Sequence, residues 1–209
     1  MGVSMNKPKW IFFDVGSTLV DETEAYNHRI REMISGTDIT FEAFDKVRIE
    51  LAIQGYDGNS KAIKHFGLKK TPWHSEDETP YTDVIETLSY LSNKGYKLGI
   101  IANQSLGTAD RLKNWGLLDY FDKVVASAEV GVSKPDKAIF EIAFMVANCK
   151  PEESMMVGDR LDNDIIPAKS VGMKTVWIRK GLSQYQDPVL GKNIADYQID
   201  NLNELLNIL

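Results

Sequence analysis

The sequence is poor in the features of secreted, membrane-bound and nucleic-acid-binding proteins. It has one cysteine in 209 residues, Cys149, which excludes an internal disulfide and leads us to expect a reducing, cytoplasmic location. No apolar run approaches the ~20 residues that span a bilayer. The formal net charge is −6, which disfavours a general nucleic-acid or anionic-membrane surface.

The first residues also lack the pattern of a targeting signal. Residues 1–9 contain no hydrophobic signal core, and Asn6 stands where a myristoylation signal has Ser or Thr. The remaining composition is ordinary, at 43% hydrophobic and 26% charged residues. We therefore expect a globular protein with one sizeable core, or a core domain that carries a small insertion.

Short runs of branched and aromatic residues alternate with helical patterns along most of the chain. The runs are nearly continuous rather than alternating in hydrophobicity, which is typical of strands covered on both faces. They comprise residues 10–13, 98–102, 123–126, 155–157 and 174–178, and the helical patterns comprise residues 81–93, 108–115, 136–147 and 164–171. This order predicts an α/β fold whose core is a Rossmann-like, doubly wound parallel sheet.

Residues 20–79 interrupt this alternation. Three helical patterns, at 22–35, 41–54 and 59–66, follow one another with no strand between them. The acidic stretch 74–79 resembles a hinge back to the sheet. We therefore predict a core domain formed by residues 1–19 and 80–209, and a small all-helical cap domain formed by residues 20–79.

Polar and charged side chains stand where the predicted strands end. Asp14 follows the first strand, Asn103 follows the second, and Asp159 and Asp164 follow the run at 155–157. Lys134 precedes a predicted helix. Because ligands bind at the carboxyl ends of strands in an open parallel sheet, we expect these residues to meet at one edge.

Carboxylates that crowd together raise each other's pKa unless a cation lies between them. Asp14, Asp159 and Asp164 therefore suggest a hard divalent ion, and Mg²⁺ with oxygen ligands suits them best. Such an ion would also neutralise a phosphate, to which Lys134 would add positive charge. The main-chain N–H groups of residues 16–18 would suit the same phosphate.

These residues resemble the four motifs of the haloacid dehalogenase-like (HAD) hydrolase superfamily. Residues 14–19, Asp-Val-Gly-Ser-Thr-Leu, are similar to its first motif, and residues 100–103, Ile-Ile-Ala-Asn, stand at its second. Lys134-Pro135 is similar to the third, and Gly158-Asp159 followed by Asp164 to the fourth. The resemblance covers essentially the whole chain, including a helical cap after the first motif.

The resemblance implies a hydrolase, a phosphatase that acts on a small phosphorylated metabolite. Asp14 would be the nucleophile and form an aspartyl-phosphate, with Lys134 pairing with it and with the phosphate. The implied Mg²⁺ ligands are Asp14, the main-chain carbonyl of Gly16, Asp159 and Asp164. The implied phosphate-binding residues are Gly16, Ser17, Asn103 and Lys134.

The chain departs from the family's pattern at two positions. Gly16 stands where these phosphatases have an acid–base Asp, and Ala102 stands where they have Ser or Thr. Loss of a general acid–base group typically costs ~10²–10⁴-fold in rate. Asn103 or Ser105 would take the place of the Ser or Thr. Asp21, Glu22, Glu24 or water would take the place of the acid–base Asp.

Four functions are consistent with this pattern. The first is a phosphatase with another acid, and the second is an enzyme whose leaving group needs no acid, such as a phosphonate hydrolase with Lys46, Lys61 or Lys64 as a Schiff base. The third is a phospho-ligand-binding protein without turnover, and the fourth is an interaction protein with the same fold. We favour the phosphatase. The substrate and the oligomeric state are left open.

Overall fold

The computed structural model describes residues 7–209, so the expectations for residues 1–6, including Asn6, lie outside it. The strands are β1 (Trp10–Phe13), β2 (Val20–Asp21), β3 (Thr79–Pro80), β4 (Lys97–Ala102), β5 (Lys123–Ala126), β6 (Ser154–Gly158), β7 (Lys174–Ile178) and β8 (Tyr197–Ile199). The α-helices are α1 (Thr23–Ile34), α2 (Phe41–Ile53), α3 (Gly58–His65), α4 (Val84–Asn93), α5 (Thr108–Asn114), α6 (Ser127–Val130), α7 (Lys137–Ala147), α8 (Ile166–Ser170) and α9 (Pro188–Ile194). In this part of the chain, no helix has the length and apolar character to cross a membrane.

Six strands form a parallel sheet in the order β5-β4-β1-β6-β7-β8. β1 lies between β4 and β6, with Phe13 in register with Ile100 on one side and Val157 on the other. The strand order reverses at β1, which makes the carboxyl ends of β1, β4 and β6 the crevice in which ligands of such sheets bind. The predicted α/β fold with a parallel sheet is confirmed.

Helices cover both faces of this sheet, which explains the continuous apolar runs. Ile11 and Phe13 of β1 belong to the apolar cluster that contains Leu88 of α4. Phe12, which points to the other face, belongs to the cluster that contains Phe140 of α7. All five side chains are fully buried, so β1 has no polar face.

The helices α1, α2 and α3 stand apart from the sheet and share their own apolar cluster. Its buried members are Ile30, Met33, Phe44 and Ala62. The chain enters and leaves this helical segment through β2 and β3, which pair antiparallel with Val20 opposite Pro80 and Asp21 opposite Thr79. The sequence did not predict this short pair, and the division into a core and a cap at residues 20–79 stays our proposal.

The predicted strands and helices agree with the observed ones to within a few residues, with one change of type. The helix predicted at 164–171 starts as a π-helical turn, Leu161–Ile165, before α8. In that turn the carboxylate of Asp164 accepts a hydrogen bond from the main-chain N–H of Arg160, at 2.9 Å. α6, β8 and α9 were not predicted, because each is too short to show a clear hydrophobic period.

Candidate active site

Asp14 lies directly after β1, at the reversal point of the sheet. Its main-chain N–H donates to the carbonyl of Val157 at 2.9 Å, which continues the β1–β6 pairing by one residue. Its carboxylate Oδ1 accepts a hydrogen bond from Lys134 Nζ at 2.7 Å. The same Nζ donates to Asp164 Oδ1 at 2.6 Å, so Lys134 joins two carboxylates that the sequence places far apart.

Asn103, which follows β4, fastens the loop that carries Lys134. The main-chain N–H of Lys134 donates to Asn103 Oδ1, and Asn103 Nδ2 donates to the Lys134 carbonyl, both at 2.8 Å. Both polar groups of the Asn103 side chain are thereby engaged with main chain. Its binding to phosphate stays a prediction, whereas its role in placing Lys134 is visible and was not anticipated.

Three carboxylates converge as the sequence led us to expect. Oxygen atoms of Asp14, Asp159 and Asp164 lie within 4.8 Å of one another. Burial, followed by the charges of Asp164 and Asp14, raises the pKa of Asp159. Burial likewise raises the pKa of Asp164 to about 6, despite the opposing charge of Lys134. Burial disfavours the charge of Lys134, but its ion pairs with Asp14 and Asp164 outweigh that effect and raise its pKa.

This donor set fits a hard divalent cation. The candidate ligands are carboxylate oxygens of three side chains, and Lys134 pairs with two of them, Asp14 and Asp164. Gly158 permits the close approach of Asp164, since a Cβ at that position would lie 2.5 Å from Asp164 Cβ. The end of β6 thus packs directly against the turn that carries the third carboxylate.

The loop after Asp14 folds back on itself and differs from our expectation. The N–H of Ser17 donates to the Val20 carbonyl at 2.8 Å, and the N–H of Thr18 donates to the Val15 carbonyl at 3.3 Å. These two N–H groups are thus used within the loop rather than directed at a ligand. Phosphate binding by Gly16 and Ser17 stays a prediction.

A carboxyl group lies against Gly16, where the sequence has no side chain. A Cβ built at Gly16 would lie 2.5 Å from Glu22 Oε1 and 2.6 Å from Oε2. Ser17 Oγ donates to Glu22 Oε2 at 3.1 Å. Burial, followed by the charges of Glu78 and Asp14, raises the pKa of Glu22 to about 8. The other two acids considered from the sequence are directed elsewhere: Asp21 accepts from the N–H of Thr23, and the exposed Glu24 accepts from Asn27.

These groups line a cavity of about 440 Å³ between the sheet edge and the helical segment. Asp14, Glu22 and Asp159 contribute from the sheet side, and Tyr26 and Arg48 contribute from α1 and α2. A salt bridge of 3.2 Å between Arg160 Nη1 and Asp57 Oδ2 joins the two sides. Ala102 is fully buried, while its neighbours Asn103 and Gln104 reach the cavity wall.

A second group of titratable side chains lies outside the cavity, where the helical segment returns towards the core. The rings of His28 and His74 stack with their centroids 3.7 Å apart. His28 Nδ1 lies 2.8 Å from Asp77 Oδ2, and His74 Nε2 lies 3.1 Å from Glu32 Oε1. One ligand atom each of His28, His74 and Asp77 lies within 4.8 Å of the others, and Nε2 of both rings faces Glu32 Oε1, at 3.8 and 3.1 Å. The wide sequence spacing of these residues gave no signal for this cluster.

Comparison with known proteins agrees with this geometry. The family described as haloacid dehalogenase-like hydrolase matches residues 11–178. The chain is 35% identical to a glyceraldehyde 3-phosphate phosphatase of Pyrococcus furiosus, over 98% of this chain and 94% of that protein. It is 30% identical to the pyrophosphatase PpaX of Bacillus velezensis, over 95% of this chain and 94% of that protein.

A solved structure supports the same assignment. The crystal structure of a HAD phosphatase from Thermococcus onnurineus is similar with a TM-score of 0.66 and 32% identity, and the match covers 96% of this chain and 97% of that one. The chain belongs to the haloacid dehalogenase-like hydrolases.

Proposed function

We propose that the protein is a Mg²⁺-dependent phosphatase that hydrolyses a small phosphorylated metabolite through an aspartyl-phosphate at Asp14. The observation that carries the proposal is the position of the Asp14 carboxylate. It borders the cavity, pairs with the fully buried Nζ of Lys134, and lies within 4.8 Å of the oxygens of Asp159 and Asp164. The names of the relatives as phosphatases and pyrophosphatases support the same reaction class.

In this proposal Asp14 attacks the phosphorus atom, and the bond from phosphorus to the leaving oxygen breaks. Lys134 holds the attacking carboxylate in place and offsets the negative charge that gathers there. Asp14, the main-chain carbonyl of Gly16, Asp159 and Asp164 would hold Mg²⁺, which supplies charge that offsets that of the phosphate and the carboxylates. Gly16, Ser17, Asn103 and Lys134 are the proposed phosphate-binding residues.

The dimensions and polarity of the cavity favour a small substrate. About 440 Å³ suits a metabolite rather than a polymer, and both cationic and acidic side chains line the wall. Arg48 is held by Asp45, at 2.5 Å, and by Asn59, at 3.3 Å, so its charge lies in a defined place on the helical side. The substrate class we propose is therefore a phosphate ester or anhydride of a small molecule.

A phospho-ligand-binding protein that does not turn its ligand over is the second candidate. The observation in its favour is the pair of substitutions, Gly16 and Ala102, at positions where phosphatases of this family have an acid and a hydroxyl. Both candidates predict binding of a phosphate to the same cavity. Only the phosphatase predicts release of an alcohol or phenol from it.

Turnover of 4-nitrophenyl phosphate with Mg²⁺, and after removal of Mg²⁺ by EDTA, separates the two candidates. We expect turnover that depends on Mg²⁺ and that Asp14→Asn abolishes, because the amide is not a nucleophile. Asp110→Asn, a change of an exposed carboxylate on α5, is the matched control and should retain full activity. Full activity in Asp14→Asn would contradict the mechanism, and phosphate binding without turnover in the wild type would support the second candidate.

A further inference from the structure

We propose that Glu22 is the general acid–base of this active site, a function that Gly16 cannot perform. The inference rests on the proposed phosphatase reaction and names one further catalytic residue for it. The alcohol portion of an alkyl phosphate ester departs as an alkoxide unless an acid protonates the leaving oxygen. The cavity of an alkyl phosphatase therefore needs a proton donor close to the nucleophile.

The main chain brings Glu22 to that place. After Asp14 the loop turns sharply, with the N–H groups of Leu19 and Val20 both donating to the Val15 carbonyl, at 2.9 and 3.1 Å. This turn returns the chain so that residue 22, directly before α1, lies against residue 16. The carboxyl of Glu22 occupies the volume that a side chain at residue 16 would fill.

A hydrogen bond fixes the orientation of this carboxyl. Ser17 Oγ donates to Glu22 Oε2 at 3.1 Å, while Oε1 is the atom that lies 2.5 Å from the Cβ position of residue 16. Asp14 and Glu22 line the same cavity, so a phosphate attacked by Asp14 lies within the space that Glu22 borders. Glu22 therefore borders the same space as the nucleophile, which is the geometric basis of the assignment.

The other carboxylates on the cavity wall have different partners. Asp57 and Asp162 both pair with Arg160, at 3.2 and 2.7 Å, and Asp159 belongs to the converging cluster with Asp14. Glu78 is buried and accepts from Trp73 Nε1 at 2.7 Å, and it is not on the wall of the cavity. Among the described residues that line this cavity, Glu22 is thus the carboxyl that neither pairs with a cation nor belongs to the converging cluster.

The proton balance of the reaction is simple. In the first step an Asp14 oxygen bonds to phosphorus, the bond from phosphorus to the leaving oxygen breaks, and the proton of the Glu22 carboxyl passes to that oxygen to give an alcohol. In the second step the Glu22 carboxylate takes a proton from water, whose oxygen bonds to phosphorus. The bond from phosphorus to the Asp14 oxygen breaks, phosphate leaves, and the Asp14 carboxylate and protonated Glu22 are restored.

Pre-steady-state kinetics of Glu22→Gln with substrate in excess test this assignment, because the two steps depend differently on the leaving group. 4-Nitrophenolate leaves without a proton, whereas the alkoxide of an alkyl phosphate does not. With 4-nitrophenyl phosphate we expect a burst of about one 4-nitrophenolate per site, followed by slow turnover as the aspartyl-phosphate accumulates. With an alkyl phosphate we expect the first step to fall by ~10²–10⁴-fold.

A second variant separates lost chemistry from lost structure. A Cβ at residue 16 would lie 2.5 Å from the Glu22 carboxyl, so in Gly16→Asp alone the flexible end of Glu22 must move aside. The new carboxyl then takes the place of Glu22 rather than adding to it, and we expect no gain in alkyl phosphate hydrolysis. Gly16→Asp combined with Glu22→Ala frees that space for a carboxyl and should recover at least tenfold of the activity that Glu22→Ala loses. Glu24→Gln, which changes an exposed carboxylate of the same helix, is the control and should match the wild type.

The outcomes distinguish this inference from the function on which it rests. A wild type that turns over neither substrate contradicts the phosphatase proposal itself. An active wild type whose Glu22→Gln variant is unchanged on alkyl phosphate overturns the role of Glu22 alone. Equal losses of the first step on aryl and alkyl substrates, without rescue by the double variant, also overturn it.

Discussion

The two walls of the cavity are held in place by different means. On the sheet side, Asp14 and Asp159 extend directly from β1 and β6, and Lys134 joins Asp14 to Asp164 through two bonds of 2.7 and 2.6 Å. On the helical side, Tyr26 and Arg48 are carried by helices that share one small apolar cluster. The sheet side is thus suited to holding the reacting groups in a fixed geometry. The helical side is suited to substrate recognition, and its residues can change without moving those reacting groups.

The first prediction weakens the sheet side and should have the largest effect. Lys134→Met removes the fully buried cation that pairs with both Asp14 and Asp164. Because the carboxylates are left without compensation, we expect a loss of about 3–5 kcal/mol in the free energy of unfolding, together with loss of turnover. Urea denaturation measures the first effect, and 4-nitrophenyl phosphate hydrolysis measures the second.

Lys137→Met, an exposed lysine in the first turn of α7, is the matched control. Surface substitutions of this kind usually change stability by less than about 0.5 kcal/mol. If the two variants unfold at the same urea concentration, the buried lysine does not stabilise the sheet edge, and the contrast between the two walls is wrong.

The second prediction compares the two apolar interiors directly. Phe140 packs against the sheet and Phe44 packs among the helices, where it stacks on Phe66 at 5.6 Å between ring centroids. Both phenylalanines are buried, so a change to Ala should cost about 3–5 kcal/mol where the surroundings hold their shape. We expect Phe140→Ala to lose that amount globally, and Phe44→Ala to lose less.

Amide hydrogen exchange locates these losses. Phe44→Ala should raise exchange in α2 and α3 while β1 and β6 stay protected, because a small cluster opens locally at lower cost than the sheet. Phe140→Ala should raise exchange across the sheet. Equal loss of protection throughout the molecule in both variants would show that the helices and the sheet unfold as one unit.

The third and smallest effect concerns the histidine cluster. Hydrogen bonds that His74 donates to the carboxylates of Glu32 and Glu76 raise the pKa of His74. His28 stacks on the His74 ring and pairs with Asp77. A raised pKa stabilises the folded state fully below the unfolded value of about 6.5, and that stabilisation is lost as pH rises through the folded pKa. The wild type should therefore have a higher melting temperature than His74→Gln. This difference should be largest at low pH and should shrink above neutrality. A difference that grows with pH would contradict this.

Much of the sheet side was predictable from the sequence. A buried parallel strand has a continuous apolar run, and the residue that follows it must lie at the sheet edge, which placed Asp14 and Asp159. Lys134 was expected at this edge and in a pair with Asp14, but its bond to Asp164 was not expected, because the loop that carries Lys134 is fixed by Asn103 rather than by a periodic element.

The position of Glu22 could not be predicted from the sequence. The sequence suggested three acids near the start of α1, and spacing did not separate them. The choice depends on a turn around the Val15 carbonyl and on Ser17, whose φ of 52° lies in the left-handed region. Neither hydrophobic period nor residue type predicts that turn. The stacked His28 and His74 were missed for the same reason, since their approach depends on how the helical segment closes.

The short β2–β3 pair has a consequence for how such enzymes diversify. Because Val20 lies opposite Pro80 and Asp21 opposite Thr79, strand pairing holds the start and the end of the helical segment side by side. Helices between these two strands can be lengthened, shortened or exchanged while the strand pair keeps the loop that follows Asp14 in place. The β2–β3 pair thus allows the helical segment to be exchanged, by evolution or by protein engineering, to change substrate specificity without changing the converging carboxylates at the sheet edge.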